Sequence, residues 1–236
     1  MLGNKRISTL LLACLSLAVC GSPRAAMRAP IFAAAAPFYI QDPSLQSLQL
    51  ADPPPAGSEA ERRDIAILTD WQFKRTAQDC ARANAEAKAG YESFFGGISP
   101  FAQPMPKEAA DLLDRVMDDA GRAFSFFKNR FKRPRPFQSH AALIPCLPGP
   151  RGYSYPSGHA ATARILALVL ADLVPQRRAE FLARADEAAL NRVIGGVHYP
   201  SDIEAGKKLA DEIYAEFEKN PAFLADREIV RRLLRP

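Results

Sequence analysis

The chain has 236 residues, 48% apolar and 24% charged, which suffices for one well-buried domain and falls short of two. Its formal charge is +5, but Lys5, Arg6 and Arg24 lie in a leading stretch of residues 1–26 without an acid; the remainder carries only +2, which excludes nucleic acid as the main partner. Ala, Leu, Glu, Lys and Arg crowd the long periodic stretches and few stretches alternate in the manner of strands, so the composition predicts an all-α fold.

In chain order, Lys5 and Arg6 precede an uncharged run from Ile7 to Cys20 that is too short to span a bilayer. This pattern predicts a secretory signal peptide over residues 1–26 and a periplasmic or secreted protein. The cut falls after Cys20, Ala26 or one of the alanines 33–35, and bulky Val19 disfavours an acylated start at Cys20. Residues 27–57 are rich in Ala and Pro, and Pro53, Pro54 and Pro55 forbid regular helix there, so an extended surface arm is expected. Residues 58–236 form the single domain. Ser58 and Glu61 make a capping-box pattern that opens one long helix to about Ala89, with Ala66, Phe73, Ala77, Cys80 and Ala87 at helical spacing. Gly90, Gly96 and Gly97 mark a break, and residues 98–106 a Pro-containing connection.

A second helix begins near Lys107 and carries Leu112, Leu113, Val116, Met117, Ala120, Phe124 and Phe127 on one face until Pro134 and Pro136 stop it, which puts Lys128 near its C-terminal end. After an irregular stretch, Pro156 to His159 leads into a segment from Ala160 to Val174 that is apolar nearly all round. Such a helix belongs at the centre of a bundle and is too short to cross a membrane. An amphipathic helix from Gln176 to about Val193 ends at Gly195 and Gly196; Pro200 opens another to about Lys219, and a short helix near Ala222 to Leu234 closes the chain. Of four cysteines, Cys14 and Cys20 fall in the signal segment, leaving Cys80 and Cys146 as an even pair in an oxidising compartment. A disulfide between them would stabilise by up to roughly 4 kcal/mol; two separate buried thiols are the alternative.

Pro156, Ser157, Gly158 and His159 together suggest an anion cradle at a helix start, with a proton donor at its rim. Charge in a phosphoryl transfer spreads over three oxygens, and the residues that could meet it are present. Arg135 and Arg192 offer forked donors, Lys128 a point charge, and Ser157 with the backbone near Gly158 completes a cage that needs no metal. Taken singly, each has a plainer reading. Lys132, Arg133, Pro134 and Arg135 read as a solvated basic patch, His159 as a helix-start histidine, and His198 with Asp202 as a structural hydrogen bond. Two of only three histidines nevertheless fall at these positions. His140 is expected to be structural or pocket-lining, while Tyr153 and Tyr155 either wall the pocket or pack.

Three spacings stand in order: Lys128, six residues, Arg135-Pro136; Pro156-Ser157-Gly158-His159; and Arg192, five residues, His198, three residues, Asp202. These resemble the three-part signature of the phosphatidic acid phosphatase type 2 superfamily, and the chain resembles its soluble bacterial branch, the class A non-specific acid phosphatases. The resemblance implies a helical bundle of the acid phosphatase and vanadium haloperoxidase kind, and a metal-independent, cofactor-free acid phosphatase acting on small phosphate monoesters. It assigns His198 as nucleophile through a phosphohistidine, Asp202 as the group that fixes its tautomer, and His159 as proton donor to the leaving alcohol. Phosphotransfer to other alcohols is implied as a side activity. An unperturbed His159, with a pKa of about 6.5, would be protonated in mildly acid solution.

The chain departs from the family at Asn191, where Ser is usual, and in its second motif at the inserted Tyr153 and at Ala160, which replaces Thr. The resemblance leaves two other readings: a vanadium-dependent haloperoxidase with His198 as vanadate ligand, for which the chain is short, and a soluble lipid-phosphate phosphatase. A non-enzymatic anion-binding module would need neither histidine nor Asp202. Homo-oligomerisation through an exposed helix face stays open.

Overall fold

The structure, a computed structural model, describes residues 37–234; the predicted signal segment lies outside the described residues. Among the described residues there are ten α-helices and no strand: α1 (Asp42–Ser47), α2 (Glu59–Lys74), α3 (Ala77–Ala85), α4 (Tyr91–Phe95), α5 (Lys107–Phe131), α6 (Pro136–Ser139), α7 (Gly158–Leu173), α8 (Arg178–Ile194), α9 (Pro200–Phe217) and α10 (Pro221–Leu233).

Helix α7 is the axis of the bundle. It packs against α5, α8 and α9 and buries every residue from Ala160 to Leu173 except Arg164 and Asp172. Those two are ion-paired at the rim, with Asp211 and Arg227 respectively. Each buried Ile, Leu or Val on it contributes roughly 1.5–3 kcal/mol of transfer free energy. Its N-terminus is pressed by α9: a Cβ added at Gly206 would stand 2.5 Å from the Ser157 carbonyl oxygen. Only Gly permits that approach, which brings the start of α9 beside the start of α7.

The long helix expected from Ser58 to Ala89 is two helices. Ser58 caps α2 through the N–H of Glu61, as its pattern predicts. Arg75 then turns extended, and Thr76 and Asp79 form a second, reciprocal capping box that starts α3. The expected apolar row is not the buried one. Phe73 is 82% exposed and Ala66, Ala77 and Ala87 face solvent, while Glu61, Asp64 and Leu68 are buried. The inward face of α2 holds carboxylates with assigned donors: Glu61 accepts from the Gly57 N–H, and Asp64 from Ser201 and Arg133. Cys80 and Cys146 form a disulfide that ties α3 to the segment before the second motif.

The arm also differs from a surface ribbon. Pro53 to Pro55 are without regular structure, but Tyr39, Ile40, Leu45, Leu48 and Leu50 belong to the main core. The carboxylate of Asp119 on α5, wholly buried, accepts the backbone N–H groups of Phe38, Tyr39 and Ile40 at 3.2, 2.6 and 3.1 Å. The Tyr39 ring stands edge-on to Phe217 and Phe223.

Candidate active site

The candidate site gathers five helix ends. The last turn of α5 supplies Lys128, whose Nζ donates to the carbonyls of Tyr153 at 2.6 Å and Ser154 at 3.2 Å. Lys132 ends that helix in the left-handed conformation, which turns the chain toward Arg135, the N-cap residue of α6. The Arg135 guanidinium spans the site, donating from Nε to Gly152 O at 3.1 Å and from Nη1 to Val197 O at 2.9 Å and His198 Nε2 at 3.1 Å. Arg192 comes from the last turn of α8 and is 3% exposed, yet its Nε and Nη1 meet no protein acceptor. Buried guanidinium donors without an acceptor are costly, and their chemistry suits an anion.

The start of α7 forms the floor. Ser157 is fully buried, caps the helix by accepting the Ala160 N–H at 3.3 Å, and donates its own N–H to Asp202 O at 2.9 Å. Gly158 also meets a packing constraint. A Cβ there would lie 3.2 Å from the Phe124 ring, so its lack of side chain lets α7 pack on α5.

Asp202 is oriented by helix-start chemistry. Tyr199 is the N-cap and Pro200 the first residue of α9, so the Asp202 carboxylate turns back to accept the Tyr199 N–H at 2.9 Å. The same oxygen, Oδ2, takes the Ser154 hydroxyl and lies 3.2 Å from His198 Nδ1. Oδ1 accepts from Arg133 Nη1 at 2.7 Å. His198 is thus held as the Nδ1–H tautomer, its Nε2 lone pair turned to Arg135.

Burial and three neighbouring cations give the site its electrostatics. Burial, then Arg135 and Lys128, hold His198 well below its usual pKa, so the ring stays neutral. Burial, then Arg135, lowers Lys128 to about 7. Burial first, and then the Arg135 charge, brings Arg192 to about 10; burial lowers Arg135 to about 10 as well, against the Asp202 carboxylate. Burial pushes the Asp202 carboxyl up, against Arg133, Ser154 and the Tyr199 N–H.

His159 departs from expectation. Its Nε2 donates to the carbonyls of Glu86 and Ala87, each at 3.1 Å, and burial, then Arg192, lowers it to about 3 rather than leaving it near 6.5. In the ligand-free site it is neutral in mildly acid solution.

The structure therefore brings Lys128, Arg135, Ser157, Gly158, His159, Arg192, His198 and Asp202 to one place. Arg133, which sequence reasoning placed in a solvated basic patch, is buried, stacks on Tyr199 at 3.8 Å and bridges Asp202 to Asp64. Ser154 and Glu86 were also missed. His140 lies apart, edge-on to Tyr199 beside a cavity of about 650 Å³ lined by Pro53 to Pro55. Tyr155 is a packing residue, its hydroxyl on Ala51 O at 2.6 Å, whereas half-exposed Tyr153 sits at the rim. Among the described residues no cluster of His, Cys, Asp and Glu could hold a metal ion, and no helix is long and apolar enough to cross a membrane.

Residues 120–210, which contain all three motifs, match the family model described as PAP2 superfamily. The chain is 30% identical over 200 residues to a non-specific acid phosphatase of Providencia stuartii, covering 79% of this chain and 80% of that one. It is 30% identical over 203 residues to an acid phosphatase of Zymomonas mobilis, covering 79% and 74%. A bacterial vanadium-dependent iodoperoxidase superposes with a TM-score of 0.61 at 20% identity over 77% of this chain and 54% of that one, a likeness of fold.

Proposed function

The chain belongs to the PAP2 superfamily, and from that premise we propose that it is an acid phosphatase, hydrolysing phosphate monoesters through a phosphohistidine at His198. The observation that supports this reading best is the His198 ring itself. It is neutral, oriented by Asp202 through Nδ1, and offers Nε2 to a cage of Arg135, Arg192 and Lys128.

In the first step the Nε2 lone pair forms a P–N bond as the ester P–O bond breaks in line. Asp202 stabilises the cationic ring, and the guanidinium groups meet the charge on the equatorial oxygens. His159 gives its proton to the departing alcohol oxygen. In the second step water attacks phosphorus, His159 takes a proton back, the P–N bond breaks and phosphate leaves. An alcohol in place of water would give phosphotransfer. Because His159 is neutral in the ligand-free site, the proton arrives with the substrate. A monoester, with a second ionisation near 6, enters in mildly acid solution as its protonated monoanion. Nothing in these steps uses a metal.

The test is phosphate release from an aryl phosphate, with chelator present, for wild type and His198→Ala. The reading expects activity highest in acid, unchanged by chelator and lost in the variant. Near-full turnover by His198→Ala would end it, and loss to chelator would replace the cage by a metal.

A further inference from the structure

Asn191, where the superfamily motif usually has Ser, donates its side-chain amide to Glu86 Oε2 at 2.9 Å. The other oxygen of Glu86 takes the Arg184 guanidinium. The carboxylate is buried, and both partners come from α8. Glu86 is also the residue that terminates α3, and its main-chain carbonyl, with that of Ala87, is the acceptor of His159 Nε2–H. One short turn is thus gripped on its side-chain side by α8 and on its main-chain side by the histidine of α7.

We infer that Glu86 is a positioning residue for His159: the Arg184–Glu86–Asn191 clamp fixes the two carbonyls that orient the ring toward the leaving group. The inference rests on the reading of His159 as the acid. Without the clamp the turn after α3 keeps the His159 bonds but loses its side-chain hold on α8. With it, two acceptors held at 3.1 Å specify the Nε2–H tautomer and partly offset the burial and the Arg192 charge that oppose protonation. A carboxylate suits this task because it accepts both donors at once. Asn191 reaches it with an amide donor on a longer stem than Ser has.

A general acid matters in proportion to how badly the leaving group needs a proton. Glu86→Ala, Glu86→Gln, Asn191→Ala and His159→Ala are therefore assayed with a simple alkyl phosphate and with a nitro-substituted aryl phosphate whose phenolate departs unprotonated. His159→Ala is expected to lose about 100-fold in kcat on the alkyl ester and only about threefold on the aryl ester. Glu86→Ala should show the same pattern at about tenfold against twofold, with KM little changed, and Glu86→Gln, which keeps one acceptor, should recover most of the loss. Equal losses on both esters in Glu86→Ala and in Asn191→Ala would mean a structural role and overturn the inference while leaving His159 as the acid. A uniform loss in His159→Ala itself would remove both. If Glu86→Ala does not fold, Glu86→Gln and Asn191→Ala decide the matter by the same ratio.

Discussion

Arg133 Nη1 lies 2.7 Å from Asp202 Oδ1, on the side of the carboxylate that His198 does not use. The other oxygen accepts Ser154, the Tyr199 N–H and the His198 Nδ1–H. The orienting carboxylate is therefore itself oriented. Arg133 reaches on to Asp64 of α2 at 3.3 Å, so the α2 helix is linked to the chemistry through two ion pairs.

Removing this guanidinium leaves two buried carboxylates without their cation, a loss of about 3–5 kcal/mol for a buried pair broken from one side. Arg133→Met should lower the urea midpoint accordingly and cut kcat more than KM, because Asp202 then no longer holds the His198 tautomer. Arg133→Lys keeps the charge but not the fork and should fall between. An Arg133→Met enzyme with wild-type kcat would show that Asp202 needs no such support.

Asp119 makes a second prediction, about the arm. Its buried carboxylate accepts three consecutive backbone N–H groups, those of Tyr39 and Ile40 in the interior, and the Arg122 guanidinium. Asp119→Ala leaves the backbone N–H groups unpaired, at about 1–3 kcal/mol for each buried orphan, while Arg122 keeps the Ile40 carbonyl and Asp42. The expected result is a destabilisation of several kcal/mol, read by urea unfolding, with protease sensitivity appearing between residues 38 and 50. Asp119→Asn, which retains an acceptor, should cost less. If Asp119→Ala unfolds at the wild-type midpoint, the arm contributes nothing to the core.

What could be read from the chain alone, and what could not, divides by distance. Lys128 in a last turn, Ser157 at an N-cap and Asp202 three residues past another are placed by local helix chemistry, and their spacing along the chain shows it. Helix α7 announces itself by being apolar all round. Arg133 pairs with Asp202 across 69 residues, His159 with Glu86 across 73 and Tyr39 with Asp119 across 80, and no periodicity reports such partners. The wrong face chosen for α2 has the same origin. Apolar spacing pointed to Phe73, while the helix buries Glu61, which accepts the neighbouring Gly57 N–H, and Asp64, whose donors Ser201 and Arg133 come from distant segments. The His159 shift likewise depends on burial and then on Arg192, both of which only the fold supplies.

Arg192 yields a binding prediction. Its unpaired Nε and Nη1 should be satisfied by the reaction's product, so inorganic phosphate should raise the melting temperature. At 100 times the dissociation constant, binding stabilises by about 2.7 kcal/mol. Arg192→Leu removes the unpaired charge, and the free variant should be no less stable than wild type while losing most of the phosphate-induced shift. A shift retained in full by Arg192→Leu would place the anion elsewhere in the cage.

The last prediction concerns pH and Lys128. Burial, then Arg135, lowers its pKa to about 7 in the free enzyme, so the ammonium is charged below that value and neutral above it. The cage therefore loses one of its three cations as pH rises through about 7, and kcat/KM, which reports the free enzyme, should fall there by about tenfold between pH 7 and pH 8.5. Part of any such fall belongs to the substrate, whose second ionisation lies near 6. Comparison with Lys128→Arg on the same ester removes that part, since arginine keeps its charge throughout. The variant is expected to have a lower plateau, because a guanidinium cannot reproduce the ammonium's two bonds to Tyr153 O and Ser154 O, but a shallower alkaline limb. Identical limbs in the two enzymes would assign the decline to the substrate and leave Lys128 charged across the range. A flattened limb would make the acid preference a property of one buried lysine as much as of the histidines.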